Sequence, residues 1–235
     1  MGRAAAVRAA TKGKTDAKKA KTNGLYGKKI IMAVKQGGSP DPVANRALHD
    51  VIQAAKRNSV PADNIQRAIK KASEGNIGDF SESTFEAYGN GGASLIINVL
   101  SDNANRASAE VKNVVNKKNA KLAESGSVLF MYDRKSCLEV NAELDEEALL
   151  EAAIDAGVDD FEMIDGDIES TTKVFVEPKE SSAMKAALEA MGHDPNIELI
   201  YVSKAPVECS DEDFEKNMDI IDALEELDDV DSVDH

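Results

Sequence analysis

Apolar residues recur at helical spacing in three stretches near the start of the chain. The clearest has Ile65, Ala68, Ile69 and Ala72 at positions i, i+3, i+4 and i+7, the spacing of an amphipathic helix that buries one face. Two earlier stretches place similar stripes at Tyr26, Ile30, Ile31 and Val34, and at Leu48, Val51, Ile52 and Ala55. These patterns predict a three-helix bundle over residues 25–78, preceded by a flexible basic arm over residues 1–24.

After residue 80 the apolar pattern changes to that of strands. Residues 84–88 and 93–100 are predicted strands around a glycine-rich turn at 89–92, residues 104–119 a helix, and residues 128–132 a further strand. The next segment has the order strand, helix, strand, strand, helix, strand, at residues 138–140, 145–156, 161–164, 171–176, 181–191 and 197–202. This order is typical of ferredoxin-like domains.

The C-terminal residues are predicted to return to the domain that begins near residue 79. Residues 210–227 form an acidic helical pattern with Ser210 as its cap and Asp213 at the third helical position, and residues 230–233 form a short strand. The fold class predicted is α+β. An N-terminal three-helix bundle is followed by two α/β domains, a middle one over 79–135 plus 205–235 and an inserted ferredoxin-like one over 136–204.

The two parts of the chain carry opposite net charge. Residues 1–71 contain 16 Lys and Arg against 4 Asp and Glu, and residues 72–235 contain 12 against 39, which gives +12 and −27 within a total of −15. Such asymmetry is typical of a basic surface for polyanions kept soluble by an acidic remainder. The alternative is that the basic helix faces are merely solvated, although 16 cations in 71 residues exceed what solubility requires.

The basic side chains predict a nucleic-acid interface. Lysine and arginine neutralise phosphates, and the affinity that they provide depends on salt more than on base sequence. No aromatic residues are interleaved with them, so base stacking is not predicted. The predicted contact residues are Arg3, Arg8, Lys12, Lys14, Lys18, Lys19 and Lys21 in the arm, Lys28, Lys29, Lys56, Arg57, Arg67, Lys70 and Lys71 in the bundle, and Arg106, Lys112, Lys117 and Lys118 in the middle domain.

Candidate catalytic and metal-binding groups are scattered along the chain. His49, His193 and His235 stand in different regions, and none has a Ser, Cys or carboxylate partner at a recognisable catalytic spacing. Cys137 and Cys209 lie far apart without neighbours at metal-ligand spacing, which favours free thiols in a reducing compartment. We therefore predict a non-enzymatic protein without a metal, a cofactor or a small-molecule substrate.

Two short glycine motifs allow both a chemical and a structural interpretation. Residues 89–92, Gly-Asn-Gly-Gly, could cradle a phosphate but lack the Lys-Ser/Thr ending of a P-loop. Residues 165–167, Asp-Gly-Asp, match only a fragment of a calcium-binding loop. A hairpin turn is the preferred interpretation of both motifs.

The sequence shows no membrane segment. No stretch approaches the roughly 18 apolar residues that span a bilayer, and the basic N-terminus lacks the apolar region of a secretory signal. A cytoplasmic protein is therefore expected. Because the opening residues also overlap in composition with organellar transit peptides, an organellar matrix is the alternative.

Four segments in order resemble the YebC/PmpR family, which includes the mitochondrial translational activator of cytochrome c oxidase subunit I. They are residues 60–71 (VPADNIQRAIKK), 85–92 (FEAYGNGG), 102–106 (DNANR) and 125–132 (SGSVLFMY). Residues 1–3 and 33–37 are similar to the shorter YeeN-like branch. The chain departs from the family in having no Trp in its N-terminal basic segment, and in having Asn119, Ala120 and Ala123 where glycines are common.

The resemblance implies the three-domain layout given above and either of two activities. Some family members are described as DNA-binding transcriptional regulators, whereas others assist translation at the ribosome near the peptidyl-transferase centre. We expect a ribosome-associated translation factor that contacts rRNA, since no helix-turn-helix with an obvious recognition helix is visible. The alternative is a transcriptional regulator that binds duplex DNA. In either case the protein is expected to be a monomer.

Overall fold

The computed structural model describes residues 3–75, 78–166 and 170–235 of the chain, with side chains from residue 17 onward in those ranges. The α-helices in these ranges are α1 (Arg3–Gly37), α2 (Arg46–Arg57), α3 (Ala62–Ser73), α4 (Ala104–Lys117), α5 (Glu146–Ala156), α6 (Ser181–Ala190) and α7 (Asp211–Glu225). The strands are β1 (Ser81–Tyr88), β2 (Ser94–Ser101), β3 (Lys121–Leu122), β4 (Tyr132–Val140), β5 (Glu162–Asp165), β6 (Thr172–Val176), β7 (Asn196–Ser203) and β8 (Val230–Asp234). Single-turn 3-10 helices lie at Leu129–Met131 and Pro178–Glu180.

The chain divides into two compact units, and the second is inserted into the first. Unit 1 comprises Met1–Ser125 with Cys209–Val233, and unit 2 comprises Gly126–Glu208 with the last two residues. The predicted α+β class is confirmed. The finer division into arm, bundle and middle domain, with boundaries at 24, 78 and 136, stays a prediction.

The helical part of unit 1 is built on the three stripes predicted from the sequence. Ile30 on α1, Leu48 on α2 and Ile65 on α3 are buried in one shared core. The helix α1 differs from the prediction because it begins at Arg3, where a flexible arm was expected through residue 24. Alanine and lysine favour helix through intrinsic propensity, and an argument based on apolar stripes does not detect helices of that kind.

The remaining part of unit 1 is a four-stranded sheet in the order β3-β1-β2-β8. Strands β1 and β2 pair antiparallel from Ser81 opposite Ser101 to Tyr88 opposite Ser94. Alternate residues of β2 point to one face, where they pack against α4 and α7. Because α7 and β8 come from the end of the chain, the C-terminal residues complete this sheet as predicted.

Unit 2 is a ferredoxin-like domain. Its sheet has the order β5-β6-β4-β7, with β4 antiparallel to both β6 and β7 and β5 antiparallel to β6. The helices α5 and α6 pack on one face through Leu149, Met184 and Leu188, against Leu138 and Val174 of the sheet. The connection order and the pairing together confirm the β-α-β-β-α-β prediction.

The predicted strand at residues 128–132 was wrong. Leu129–Met131 form a 3-10 turn, and Val128 has a helical backbone with φ −117° and ψ −39°. Val128 is fully buried, whereas Phe130 is 67% exposed. The prediction failed because a short apolar run does not distinguish a strand from a helical turn. Strand β4 instead begins at Tyr132, and the two-residue strand β3 was missed because two residues show no period.

Both glycine motifs lie at hairpin turns, as preferred from the sequence. The β1–β2 turn is closed by the Gly89 N–H, which donates to the Ala93 carbonyl oxygen at 2.9 Å. The β5–β6 turn has the Gly166 N–H donating to the Thr171 carbonyl oxygen, also at 2.9 Å. Asp167, the last residue of the second motif, lies outside the described residues.

Candidate nucleic-acid interface

A groove of about 640 Å³ lies between α1 and the connection from α2 to α3. Apart from one proline, the residues that line it have polar or charged side chains, although carbon atoms of those residues make up most of the lining surface. Phosphate groups are bound in proteins by such lysine, amide and hydroxyl side chains. The lining residues are Lys18, Lys19, Thr22, Asn23, Asn58, Ser59 and Pro61.

The wall of the groove opposite the lysines is held in place by Asn58. Its amide nitrogen donates to the Tyr26 hydroxyl on α1 at 2.6 Å and to the Ala54 carbonyl oxygen at 3.0 Å. Ser59 then takes a left-handed conformation with φ 58°, and Val60 is buried. These contacts turn the chain from α2 into α3 and fix one wall of the groove against α1.

The N-terminus of α3 and two cations at the end of α2 add to the positive character of this region. Pro61 is the N-cap of α3 and supplies no side-chain acceptor for the first turn, so the partial positive charge of that terminus is not neutralised by a cap. Asp63 in the first turn offsets part of it. Lys56 and Arg57 end α2 directly before the groove-lining Asn58.

The predicted contact residues fall into distinct groups in the structure. One group is exposed and has no carboxylate within 4.0 Å among the described residues. Such side chains can bind a phosphate without breaking a contact inside the protein. This group comprises Lys18, Lys19, Lys56, Lys71, Lys112 and Lys117.

A second group is exposed or half-buried and makes contacts inside the protein. Arg67 donates from Nε to the Asp63 carbonyl oxygen at 3.2 Å and also bonds Asn64. Lys70 lies 3.9 Å from Glu74, the residue directly after α3. Exposed pairs of this kind are weak, so these cations remain accessible to a phosphate. Arg57 is half-buried.

Lys28 and Arg106 instead converge on the buried carboxylate of Asp229. Lys28 Nζ lies 2.6 Å from Asp229 Oδ1, and Arg106 lies 2.7 Å from Oδ2. Ser101 donates to the same carboxylate at 2.7 Å. Burial alone would raise the pKa of Asp229, but hydrogen bonds from Lys28, Arg106 and Ser101 lower it overall. The hydrogen bonds that Arg106 donates to Asp229 and Asp102 raise the pKa of its guanidinium group.

Three further predicted residues pair with the acidic C-terminal segment of unit 1. Lys29 lies 2.8 Å from Asp231, and Lys118 lies 2.5 Å from Asp219. Lys21 donates to the Glu225 carbonyl oxygen, and burial lowers the pKa of its ammonium group against the raising effect of nearby carboxylates. A phosphate at any of these positions would have to displace a contact inside the protein.

Sequence reasoning missed the neutral residues that line the groove. Thr22, Asn23, Asn58 and Ser59 carry no charge, and only the packing of α1 beside the end of α2 brings them together. Charge counting therefore found the lysines but not their neighbours. The side chains of Arg3, Arg8, Lys12 and Lys14 lie outside the described residues.

The glycine turn at residues 89–92 is occupied by another part of unit 1. Asn217 on α7 accepts from the Asn90 N–H at 2.7 Å and donates to the Asn90 carbonyl oxygen at 3.1 Å. Within the described ranges, no three His, Cys, Asp or Glu side chains converge in a way that could hold a metal ion. None of the helices described there is both long enough and apolar enough to cross a membrane.

These features define an α+β protein with a basic helical N-terminal part, a four-stranded sheet and an inserted ferredoxin-like domain. The model of the TACO1/YebC N-terminal domain matches residues 3–75, and that of the TACO1/YebC second and third domain matches residues 80–235. The chain belongs to the TACO1/YebC family.

Relatives of similar length support this assignment. A probable transcriptional regulatory protein of Chlamydia felis is 39% identical over 95% of this chain and 93% of its own length. Its counterpart in Chlamydia trachomatis serovar L2 is 40% identical over the same shares. A crystal structure of a conserved hypothetical protein from Aquifex aeolicus superposes with a TM-score of 0.79 at 34% identity, covering 93% of this chain and 89% of that one.

Proposed function

We propose that this protein regulates gene expression as a ribosome-associated translation factor whose N-terminal helices contact rRNA phosphates. The observation that carries the proposal is the groove beside α1. Its Lys18 and Lys19, which have no carboxylate within 4.0 Å in the part of the chain that the structure describes, lie beside amide and hydroxyl side chains and the uncapped start of α3. Donors of this kind recognise the sugar-phosphate backbone without reading base sequence.

The shape of the groove favours folded RNA over duplex DNA. Reading duplex DNA requires a protruding helix or strand pair that enters the major groove. A concave site suits a protruding backbone segment of the kind found at RNA loops and bulges. The net charge of −27 on residues 72–235 opposes indiscriminate binding to polyanions, which suits a protein that enters a site walled by RNA.

Co-sedimentation with purified ribosomes at low and high salt tests the proposal. The protein is expected to pellet with ribosomes at about 50 mM salt and to be released at about 500 mM salt, because phosphate contacts are salt-sensitive. The double variant Lys18→Gln/Lys19→Gln should pellet less at low salt.

The matched control for this experiment is Lys179→Gln/Lys185→Gln in unit 2. It removes the same charge from two lysines that already lie beside carboxylates, and it should pellet like the unmodified protein. Absence of the unmodified protein from ribosomes at low salt would contradict the proposal, as would equal loss of binding in both double variants.

The second candidate is a transcriptional regulator that binds duplex DNA. It is favoured by the relatives in Chlamydia, which are described as probable transcriptional regulatory proteins. This function requires binding to one duplex sequence about 10³-fold tighter than to random DNA. A selection from random duplexes tests it. An enriched motif with that specificity ratio would favour DNA, and equal affinity for all duplexes would exclude sequence-specific regulation.

A further inference from the structure

Helix α5 of unit 2 leaves part of its apolar surface uncovered. Leu149 and Ala153 are buried and anchor the helix on the ferredoxin-like core. Leu150 and Ile154, four positions apart on another face, are 49% and 63% exposed. Single exposed apolar residues are common on protein surfaces, but two at i and i+4 present a continuous stripe.

A groove of about 200 Å³ runs beside this stripe. Its apolar lining joins Leu150 and Ile154 on α5 to Val158 and Phe161 in the connection that follows α5, and to Met163 on β5. The groove therefore extends the exposed stripe into a concave apolar surface. Apolar side chains on one face of a short helix can dock into such a surface.

Carboxylates surround the groove. Glu146, Asp159 and Asp160 belong to its lining, and Glu147, Glu151 and Asp155 are exposed on α5. Between residues 143 and 165 the sequence contains ten Asp and Glu and neither Lys nor Arg. At this rim, Nζ of Lys179 lies 3.9 Å from Asp159 Oδ2. The surface is thus strongly negative around an apolar centre.

This combination determines the chemistry of the partner. Nucleic acids and anionic membranes are repelled by the carboxylates. An acidic peptide is excluded for the same reason. A helix with apolar residues at i, i+3 and i+4, flanked by lysines or arginines, complements both the stripe and the rim.

We propose that the α5 groove binds a basic amphipathic helix of a protein partner. Apolar side chains of that helix fill the groove beside Leu150 and Ile154, and its cations lie opposite Glu146, Asp159 and Asp160. The interaction uses the acidic unit of the chain and is separate in its chemistry from the phosphate-binding groove beside α1.

Fluorescence anisotropy with a designed peptide tests the proposal. The probe is a labelled helix of about 14 residues made of leucine and lysine, with leucines at i, i+3, i+4 and i+7. A peptide of the same composition, scrambled so that the leucines share no face, is the peptide control. The full-length protein is expected to bind the probe at least about tenfold tighter than the scrambled peptide.

Double variants distinguish binding in the groove from non-specific hydrophobic binding elsewhere on the protein. Leu150→Ser/Ile154→Ser should weaken binding of the probe at least about tenfold. The matched control Leu199→Ser/Val207→Ser removes two apolar residues of similar exposure, 51% and 54%, elsewhere in unit 2 and should change binding by less than about twofold. Asp159→Asn/Asp160→Asn should also weaken binding and reduce its salt dependence.

Three results would overturn the proposal. The first is equal binding of the probe and the scrambled peptide. The second is equal loss of binding in the serine variants and their control, with circular dichroism showing that all fold. The third is sedimentation showing that the chain self-associates and that Leu150→Ser/Ile154→Ser abolishes this, because the occupant would then be a second copy. Lys18→Gln/Lys19→Gln should leave peptide binding intact, so failure of the phosphate-binding proposal is distinguishable from failure of this one.

Discussion

At the scale of single residues, Asp229 links α1 to the sheet of unit 1. Its carboxylate accepts from Lys28, Arg106 and Ser101. In Asp229→Asn the neutral amide would remove the counter-charge of Lys28, whereas Arg106 would keep its contact with Asp102. We expect the free energy of unfolding to fall by about 1–3 kcal/mol, less than for a fully buried pair because Arg106 is partly exposed. Urea unfolding at pH 7 measures this loss. The neighbouring exposed Asp228, changed to Asn, should cost under about 0.5 kcal/mol.

The same carboxylate predicts a dependence of stability on pH. Because the folded-state pKa of Asp229 is lowered below 3.8, its contribution is fully present above the unfolded-state pKa and is lost as the pH falls through the folded-state pKa. The difference in unfolding free energy between the unmodified protein and Asp229→Asn should therefore be constant from about pH 7 to about pH 5 and shrink below about pH 4. A difference that persists unchanged at about pH 2.5 would contradict the ion-pair account.

Gly91 in the β1–β2 turn illustrates a different residue-scale constraint. Its φ is +64°, and a Cβ there would lie 2.8 Å from Cys209 Cβ and 3.1 Å from Asp213 Oδ2. Gly92 has φ +86° but no atom near its Cβ position. Both alanine substitutions incur the cost of a left-handed conformation, about 1 kcal/mol. Gly91→Ala should lower the free energy of unfolding by about a further 1–3 kcal/mol, because its Cβ would overlap Cys209 and Asp213. Urea unfolding of both variants measures this difference. Equal losses in the two variants would show that the contact is unimportant.

Sequence reasoning at this scale identified which residues are charged but not what they contact. Lys18 and Lys28 look equivalent in the sequence, yet one is exposed in a groove and the other lies against Asp229, 201 positions further along the chain. Contacts between residues so far apart depend on the tertiary fold. A sequence pattern that rests on local spacing contains no information about them.

At the scale of elements, Asn45 fixes the start of α2. Its Oδ1 accepts from the Leu48 N–H at 3.1 Å, and its Nδ2 donates to the carbonyl oxygens of Ala33 at 2.8 Å and Ser39 at 3.0 Å. The side chain is only 4% exposed. Asn45 therefore acts both as a helix cap and as a link between α1 and α2.

Asn45→Ala should lower the free energy of unfolding by about 2–4 kcal/mol. The loss combines a missing cap of about 1 kcal/mol with a buried carbonyl left without its donor. Asn103 at the start of α4 provides the comparison, since it is an exposed cap that accepts from the Arg106 N–H at 3.0 Å. Asn103→Ala should lower the free energy of unfolding by only about 1 kcal/mol. Thermal or urea unfolding of both variants decides whether the additional bonds of Asn45 contribute, and equal losses would contradict that interpretation.

Elements with a clear apolar period were predictable, and those without one were not. The α3 stripe and the short apolar run of β2, which follows a glycine-rich turn, placed both elements within a few residues. The N-terminal half of α1 has no stripe, and the turn at Leu129–Met131 has an apolar sequence compatible with two structures. The turn was therefore assigned incorrectly as a strand, and the helical pattern of α1 before residue 25 was not detected.

At the scale of the whole molecule, opposite charges occupy different parts of one chain. The predicted α+β layout follows from the order of helical and strand patterns, and the +12 and −27 balance follows from counting. Neither the order of elements nor the charge balance predicts the grooves, because neutral side chains and segments distant in sequence form them. The α1 groove places Lys18 and Lys19, which contact no carboxylate among the described residues, beside amide and hydroxyl groups, and the proposed function depends on that site.

The most direct test measures the salt dependence of binding to an rRNA fragment in solution. The slope of log Kobs against log salt reports the number of phosphates contacted. Lys18→Gln/Lys19→Gln should reduce the magnitude of this slope by about 2 and weaken binding equally across unrelated RNA sequences. The control Lys179→Gln/Lys185→Gln, with the same net charge, should leave the slope unchanged. An unchanged slope in Lys18→Gln/Lys19→Gln, or an equal change in both variants, would contradict phosphate binding in the α1 groove.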